Sequence, residues 1–182
     1  MPIQTLHGSR INLRGLRRSD AGSIQKYAND PAVARFLPLL PHPYEMNDAR
    51  EWVNLTHRTS RNGTAYHFGI EHNESGEIIG MMSLRNINRN DLNAEVGYWL
   101  ARKFWGRGIA TESLRLMLRF SFEQVGLHRV YAVVLDKNIG SVRILEKLGF
   151  TREGVWRKAS RMGKRWHDVY AYGILKDEFD GR

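Results

Sequence analysis

The segment "FWGRGIATESLRLMLRF" (Phe104–Phe120) decides how the rest of the chain is read. It opens with small residues at alternate positions, Gly106, Gly108 and Ala110, and then turns apolar at helical spacing. From about Ile109 the pattern predicts a helix, with Ala110, Leu114, Met117, Leu118, Ser121 and Val125 on its buried stripe. Immediately upstream, "NAEVGYWLA" (Asn93–Ala101) reads as a strand. The bare turn between them has two readings. Glycines suit a tight strand-to-helix turn. Missing side chains also let phosphate oxygens reach the amides of a helix's first turn, which lack intrahelical acceptors and sit at the positive end of the dipole. Strand, bare turn and amphipathic helix are the context the second reading needs, and Arg107 adds a cation. Neither the dinucleotide signature G-x-G-x-x-G with its distant acid nor the G-K-[ST] of nucleotide P-loops is present. The turn therefore predicts a phosphate site of another kind.

Working outward, "HRVYAVVLD" (His128–Asp136) is a nearly all-apolar strand of the type covered on both faces. "NIGSVRILEKLG" (Asn138–Gly149) predicts a second helix with Val142, Leu145 and Leu148 inward and Gly149 as its stop. "VWRKASRMGKRWHDVYAYGIL" (Val155–Leu175) reads as two strands around a turn near Met162-Gly163. Towards the N-terminus, "RINLRGL" (Arg10–Leu16) suits a strand. "SDAGSIQKYAND" (Ser19–Asp30) suits a helix capped by Ser19 or Asp20, with Ile24, Tyr27 and Ala28 on one face. "LPLLPHPYE" (Leu37–Glu45) holds three of the five prolines and reads as a loop. A helix follows with Ala49, Trp52, Val53 and Thr56 at its spacing, then "TAYHFGIEH" and "EIIGMMSLRNI" form a hairpin across "NESG". Tyr66, His67 and Phe68 on the first of these strands read as packing residues rather than a stacking platform. Antiparallel strands followed by strand–helix–strand–helix–strand define a mixed α+β chain, a single domain over 1–182.

Composition bounds the function. The chain has 182 residues, 42% hydrophobic and 26% charged, enough for one core. It has no cysteine, which excludes disulfides, thiolate metal sites and a cysteine nucleophile. No stretch has the apolar length of a membrane span, and "MPIQTLHGSR" lacks the apolar core of a secretory signal, so a cytoplasmic location is expected. The net charge of +9 favours an anionic partner, although a basic surface also serves solubility alone. "REGVWRKASRMGKR" (Arg152–Arg165) carries six basic residues against one acid, with Trp156 and Trp166 in or just beyond it. Such a hairpin admits a rival reading as a nucleic-acid-binding module, for which no recognised motif is present. His167-Asp168 invites a metal or acid–base reading. Adjacent strand residues face opposite ways, however, and no metal-ligand spacing supports it. No metal is expected, and His167 reads as a surface or substrate-rim residue.

"EVGYWLARKFWGRGIATESL" followed by "VVLDKNIGSVRILEKLGFTREG" closely resembles the GNAT superfamily of acetyl-CoA-dependent N-acetyltransferases, most of all the branch of ribosomal-protein N-terminal acetyltransferases. The two blocks lie between Glu95 and Gly154, and the tail "GKRWHDVYAYGILKDEF" is similar to that branch as well. The resemblance implies an α+β fold with a central, mostly antiparallel, splayed sheet flanked by helices. It implies acetyl-CoA as cosubstrate and direct attack by an amine, with no covalent enzyme intermediate. The family's Q/R-x-x-G-x-G/A loop falls on Trp105 to Ala110: Gly108 and Ala110 match, while Trp105 departs from Gln or Arg. On this resemblance the amides of Gly106, Arg107, Gly108, Ile109, Ala110 and Thr111 hold the pyrophosphate. The backbone of Tyr98, Trp99 and Leu100 pairs with the pantetheine arm like an added strand. Asn138 contacts that arm, caps its own helix, or does both.

Transfer also needs a neutral amine and a proton for the departing thiolate. Many relatives place a tyrosine acid seven residues after the asparagine, where this chain has Leu145. Ser141 is the remaining hydroxyl, as a proton donor or simply as part of the helix's first turn. Glu95 is the candidate base through water, or else a solvated strand carboxylate. An α-amine, with pKa ~7.7–8.0, is neutral roughly a tenth of the time at pH 7, whereas a lysine amine at ~10.4 is neutral less than ~0.1% of the time. The lack of an unmistakable base thus tilts the expectation towards a protein or peptide N-terminal α-amine, with polyamines and antibiotic amines as alternatives. Nucleic acid is expected only through a ribosomal substrate, a non-catalytic acyl-CoA-binding protein is the other rival, and a homodimer stays open.

Overall fold

A computed structural model describes residues 4–37 and 40–181. Eight strands form one sheet: β1 (Leu6–His7), β2 (Ile11–Arg14), β3 (Tyr66–His72), β4 (Ile78–Asn88), β5 (Asn93–Leu100), β6 (Arg129–Leu135), β7 (Thr151–Met162) and β8 (Arg165–Leu175). Their order is β1-β2-β3-β4-β5-β6-β8-β7, and every neighbouring pair is antiparallel except β5 with β6. Five α-helices flank the sheet: α1 (Ala21–Ala28), α2 (Pro31–Ala34), α3 (Met46–Asn62), α4 (Ile109–Arg119) and α5 (Ile139–Lys147). The mixed α+β class, the hairpins and the order of elements follow the sequence reading. The expected loop Leu37–Glu45 has no helix or strand in its described part; Pro38 and Leu39 lie outside the described residues.

Two apolar clusters hold the elements together. One joins Ile24, Ala28, Ala49 and Val53 of α1 and α3 to Ile78 and Met81 of β4. The other gathers Leu114, Met117 and Leu118 of α4 with Phe68, Met82, Leu84, Val96, Val130 and Tyr172 of the sheet. Adjacent Met81 and Met82 thus serve opposite clusters, as the alternation of a strand requires. Asp20 caps the short turn before α1 by accepting from the Arg17 amide at 2.6 Å. Its carboxylate also accepts both Arg14 Nη atoms at 2.8 and 3.0 Å, a buried ion pair that Glu71 completes on Arg14 Nε. A charge removed from water in this way needs such partners to be tolerated.

Two local expectations change. Ile109, Thr111 and Ser113 of α4 are buried beyond the expected stripe, while Ala110 and Val125 are only half-buried. Past Arg119 the helix widens into a π turn over Phe120–Gln124, which rotates the following side chains and puts Phe120, Ser121 and Phe122 inside. The Ser113 and Ser121 hydroxyls donate to the carbonyls of Ile109 and Met117, so their burial leaves no unpaired group. β6 is not covered on both faces along its length: Tyr131 and Val133 are half-buried. The cause is the parting of β6 from β5, from which the site is built.

Candidate active site

β5 and β6 pair only at Asn93↔Arg129, Ala94↔Val130 and Glu95↔Tyr131. Beyond these rungs β5 stays bonded to β4 as far as Gly80↔Leu100, and β6 stays bonded to β8 as far as Leu135↔Val169. The sheet therefore splays, and Val96–Leu100 present a free edge to the gap. Two cavities open there, of about 820 and 590 Å³. Phe36, Leu37, Tyr98, Trp99, Asn138 and Ser141 line both, so the cavities meet at these residues.

The smaller cavity is walled by the turn into α4. Gly106 and Gly108 have φ of +72° and +75°, the left-handed region that glycine enters without strain. This satisfies the turn reading of the glycines, and the same backbone serves the other reading. Among the described residues, no backbone or side-chain acceptor meets the amides of Gly106 through Thr111. The turn is fixed from behind. Arg10 donates from Nη1 to the Arg107 carbonyl and from Nε to Glu112 at 2.9 Å. Glu112 also accepts from the Ser9 amide at 2.6 Å and the Arg10 amide at 3.1 Å. Burial raises the Glu112 pKa, but these donors outweigh it and hold the group below its usual range. Trp105 Nε1 donates to the Leu100 carbonyl at 2.7 Å, tying the turn to the free edge. The described lining includes the cations Arg35, Lys137, Arg143 and Lys147 and no carboxylate. Arg107 is exposed beside the Phe104 ring and is not in this wall.

At the junction, Asn138 Oδ1 accepts the Ser141 amide at 3.2 Å, which makes Asn138 the N-cap of α5. Ser141 is half-buried and lines both cavities. Leu145, one turn on, is buried. Tyr98 faces Ser141: burial pushes the tyrosine hydroxyl up to about 12, and the serine pulls it the other way. The approach falls short of a hydrogen bond, and among the described residues Tyr98 Oη is buried without a partner.

Glu95 has surroundings unlike those expected. It is 7% exposed and absent from the described lining of either cavity. Its Oε1 accepts from Arg85 Nη2 at 2.6 Å and its Oε2 from Asn86 Nδ2 at 2.8 Å. It is therefore no solvated carboxylate: each oxygen accepts one hydrogen bond from β4. Arg85 itself reaches the larger cavity. Opposite charges at Arg85↔Glu95 face one another across β4 and β5, a pairing that only the strand register reveals.

The larger cavity draws on four separated parts of the chain. α3 supplies Asp48, Glu51, Trp52 and Arg58, the preceding loop Tyr44, strands β4 and β6 Arg85 and Val134, and the late hairpin Trp156 and Ser160. Trp52 packs edge-on against His67 at 4.9 Å, and His67 shares a hydrogen bond with Ser83 at 2.8 Å. Burial, helped by Arg85, lowers the His67 pKa to about 4, so the ring is neutral at pH 7. His67 and Phe68 are buried and Tyr66 packs against the core, as strand residues should. His167 Nδ1 lies 3.6 Å from Asp136, outside both described linings. Among the described residues no group of His, Cys, Asp or Glu is arranged to hold a metal ion, and no helix is long and apolar enough to cross a membrane.

The acetyltransferase (GNAT) domain family matches residues 10–151. An uncharacterized N-acetyltransferase of Bacillus licheniformis, p20, is 31% identical over 98% of this chain and 100% of its own length. The [ribosomal protein uS5]-alanine N-acetyltransferase of Escherichia coli is 29% identical over 64% of this chain and 60% of its own. Among solved structures, Mycobacterium smegmatis RimJ in complex with CoA-disulfide superposes with a TM-score of 0.86 at 26% identity, covering 99% of this chain and 88% of that one. A splayed sheet, a bare turn opening a helix and a match over most of the chain agree: the chain is a member of the GNAT family of N-acetyltransferases.

Proposed function

We propose that the protein transfers the acetyl group of acetyl-CoA to the α-amine of a protein or peptide. The run of acceptor-free amides from Gly106 to Thr111 carries this reading. Unpaired amides at a helix N-terminus, ringed by Lys137, Arg143 and Lys147, suit a pyrophosphate in both hydrogen bonding and charge. The free edge at Tyr98 and Trp99 suits an extended amide chain, which it would bind as an added strand. RimJ, 26% identical, has been solved with a coenzyme A disulfide. When bound, acetyl-CoA supplies an activated acyl carbon and a thiol leaving group.

The chain's own residues supply position and protons. Ser141, where the cavities meet, donates a hydrogen bond to the leaving sulfur. Asn138 fixes the turn that carries Ser141. Glu95 holds Arg85 at the acceptor wall instead of taking a proton, so water receives the proton from an amine that arrives neutral. An α-amine meets that condition roughly a tenth of the time at pH 7 and a lysine side chain almost never. A second reading, a small polycationic amine, is favoured by Asp48 and Glu51 in the larger cavity. Turnover with a panel of N-terminal peptides, polyamines and aminoglycosides, read by mass spectrometry, separates the two. Acetylation of peptide α-amines is expected; acetylation of polyamines alone would replace the first reading by the second.

A further inference from the structure

Tyr98 holds the one group at the junction that the mechanism above leaves unused. A buried tyrosine hydroxyl ordinarily finds a hydrogen-bond partner, and one without costs stability. Phenylalanine would fill the same space without that cost. The hydroxyl is retained at a particular place: on the free half of β5, against Ser141, where both cavities meet. Among the described residues it has no hydrogen-bond partner.

We propose that Tyr98 is a positioning residue for Ser141: when the junction is filled, a turn of the Ser141 side chain brings its Oγ within reach of the unpartnered Tyr98 O–H, which donates to it and directs the serine hydrogen into the junction of the cavities. Tyr98 Oη is covered, so it acts on the reacting atoms through the serine rather than by touching them. A hydroxyl both donates and accepts, and filling its acceptor side directs its single hydrogen elsewhere. With its pKa pushed up to about 12, Tyr98 keeps its proton at any ordinary working pH and is a permanent donor. In the transfer a carbon–nitrogen bond forms and the carbon–sulfur bond breaks. The nitrogen releases one proton to solvent, and the sulfur gains one from Ser141, which recovers its own from solvent. Tyr98 is unchanged throughout. The serine and tyrosine, on α5 and β5, would together do the work that relatives assign to a tyrosine at the position of Leu145.

The inference rests on the acetyltransfer reading, so its test needs a measurement other than turnover. A hydroxyl aimed at the sulfur stabilises the thiolate of bound coenzyme A and lowers its pKa, so calorimetric affinity should rise as pH climbs towards the free thiol's pKa, ~8.5 for a model thiol, and level off above it. Tyr98→Phe and Ser141→Ala should flatten that rise equally, and the double variant should flatten it no further. Tyr98→Phe should lower kcat roughly 10-fold to 10²-fold, less than the ~10²–10⁴-fold cost of losing a proton donor, with the acceptor KM and the melting temperature not worsened. A parental pH dependence and kcat in Tyr98→Phe, or additive losses in the double variant, would overturn the role. Failure of the parent to bind coenzyme A at all would overturn both the acetyltransfer reading and this one. Parental binding with an unaltered slope in Tyr98→Phe would overturn this one alone.

Discussion

The two cavities that share Tyr98 and Ser141 are built on different principles. The smaller is made of backbone: a turn of φ-positive glycines, a helix end, and cations with no carboxylate among its described lining. The larger is made of side chains from α3, the splayed strands and the late hairpin, with Asp48 and Glu51 beside Arg58 and Arg85. Backbone amides recognise what every acyl donor of one class has in common. Side chains from scattered segments can change one at a time and so set which acceptor is taken. On the proposed reading, a constant donor and a variable acceptor occupy separate walls that meet at one pair of hydroxyls.

The strongest test of that division lies at the meeting point. Ser141→Ala should lower turnover by ~10²–10⁴-fold with every amine while leaving both binding constants near the parent's. Full activity would reduce the serine to part of a helix turn. Next, Gly108→Val should weaken acetyl-CoA binding by roughly 10²-fold in calorimetry and leave acceptor binding alone. The variant should also lose ~1–2 kcal/mol of stability, because a branched residue is forced to φ +75° with its Cβ 3.3 Å from the Arg10 guanidinium. Parental affinity would remove the turn from the donor site.

Acid should tell the walls apart. His67 is neutral in the fold with a pKa of about 4. The unfolded chain titrates this group near 6.5, so between these values it binds more protons than the fold. Stability is thus complete above about pH 6.5 and is lost as pH falls towards 4, by about 2 kcal/mol between pH 7 and 5. Urea unfolding should show this loss, and His67→Gln should remove most of it. Because His67 backs Trp52, acceptor binding should weaken at pH 5 before donor binding does. The smallest effect is expected of Glu95→Gln, a several-fold loss of rate whose profile from about pH 6 to 9 runs parallel to the parent's. A loss confined to low pH would restore Glu95 as the base.

The contrast between the walls also explains what could be read from the sequence. Helices and strands were legible because their apolar periods are regular, and the turn into α4 and the cap of α5 were legible because Trp105 to Thr111 and Asn138 to Ser141 are contiguous stretches with fixed spacing. The π turn at Phe120–Gln124 left no trace in the apolar pattern. The apolar run of β6 predicted a strand covered on both faces, because a cavity wall and a buried core look alike in composition. The Glu95–Arg85 pair needed the strand register, which a list of residues does not contain. The covered hydroxyl of Tyr98 depends on where α5 lies relative to β5, a relation between distant segments.

The strand order has a consequence for how the chain comes together. β8 lies between β6 and β7, both of which precede it in sequence. Until it is inserted, β7 has no sheet to join and β6 has lost its only full-length neighbour, since β5 meets it at three rungs alone. Closure of the sheet must therefore wait for β8, and it proceeds by contacts that span long stretches of sequence. A ribosome stalled before Arg165 would hold a nascent chain with two open edges, whose exposed backbone is the kind of surface that chaperones cover.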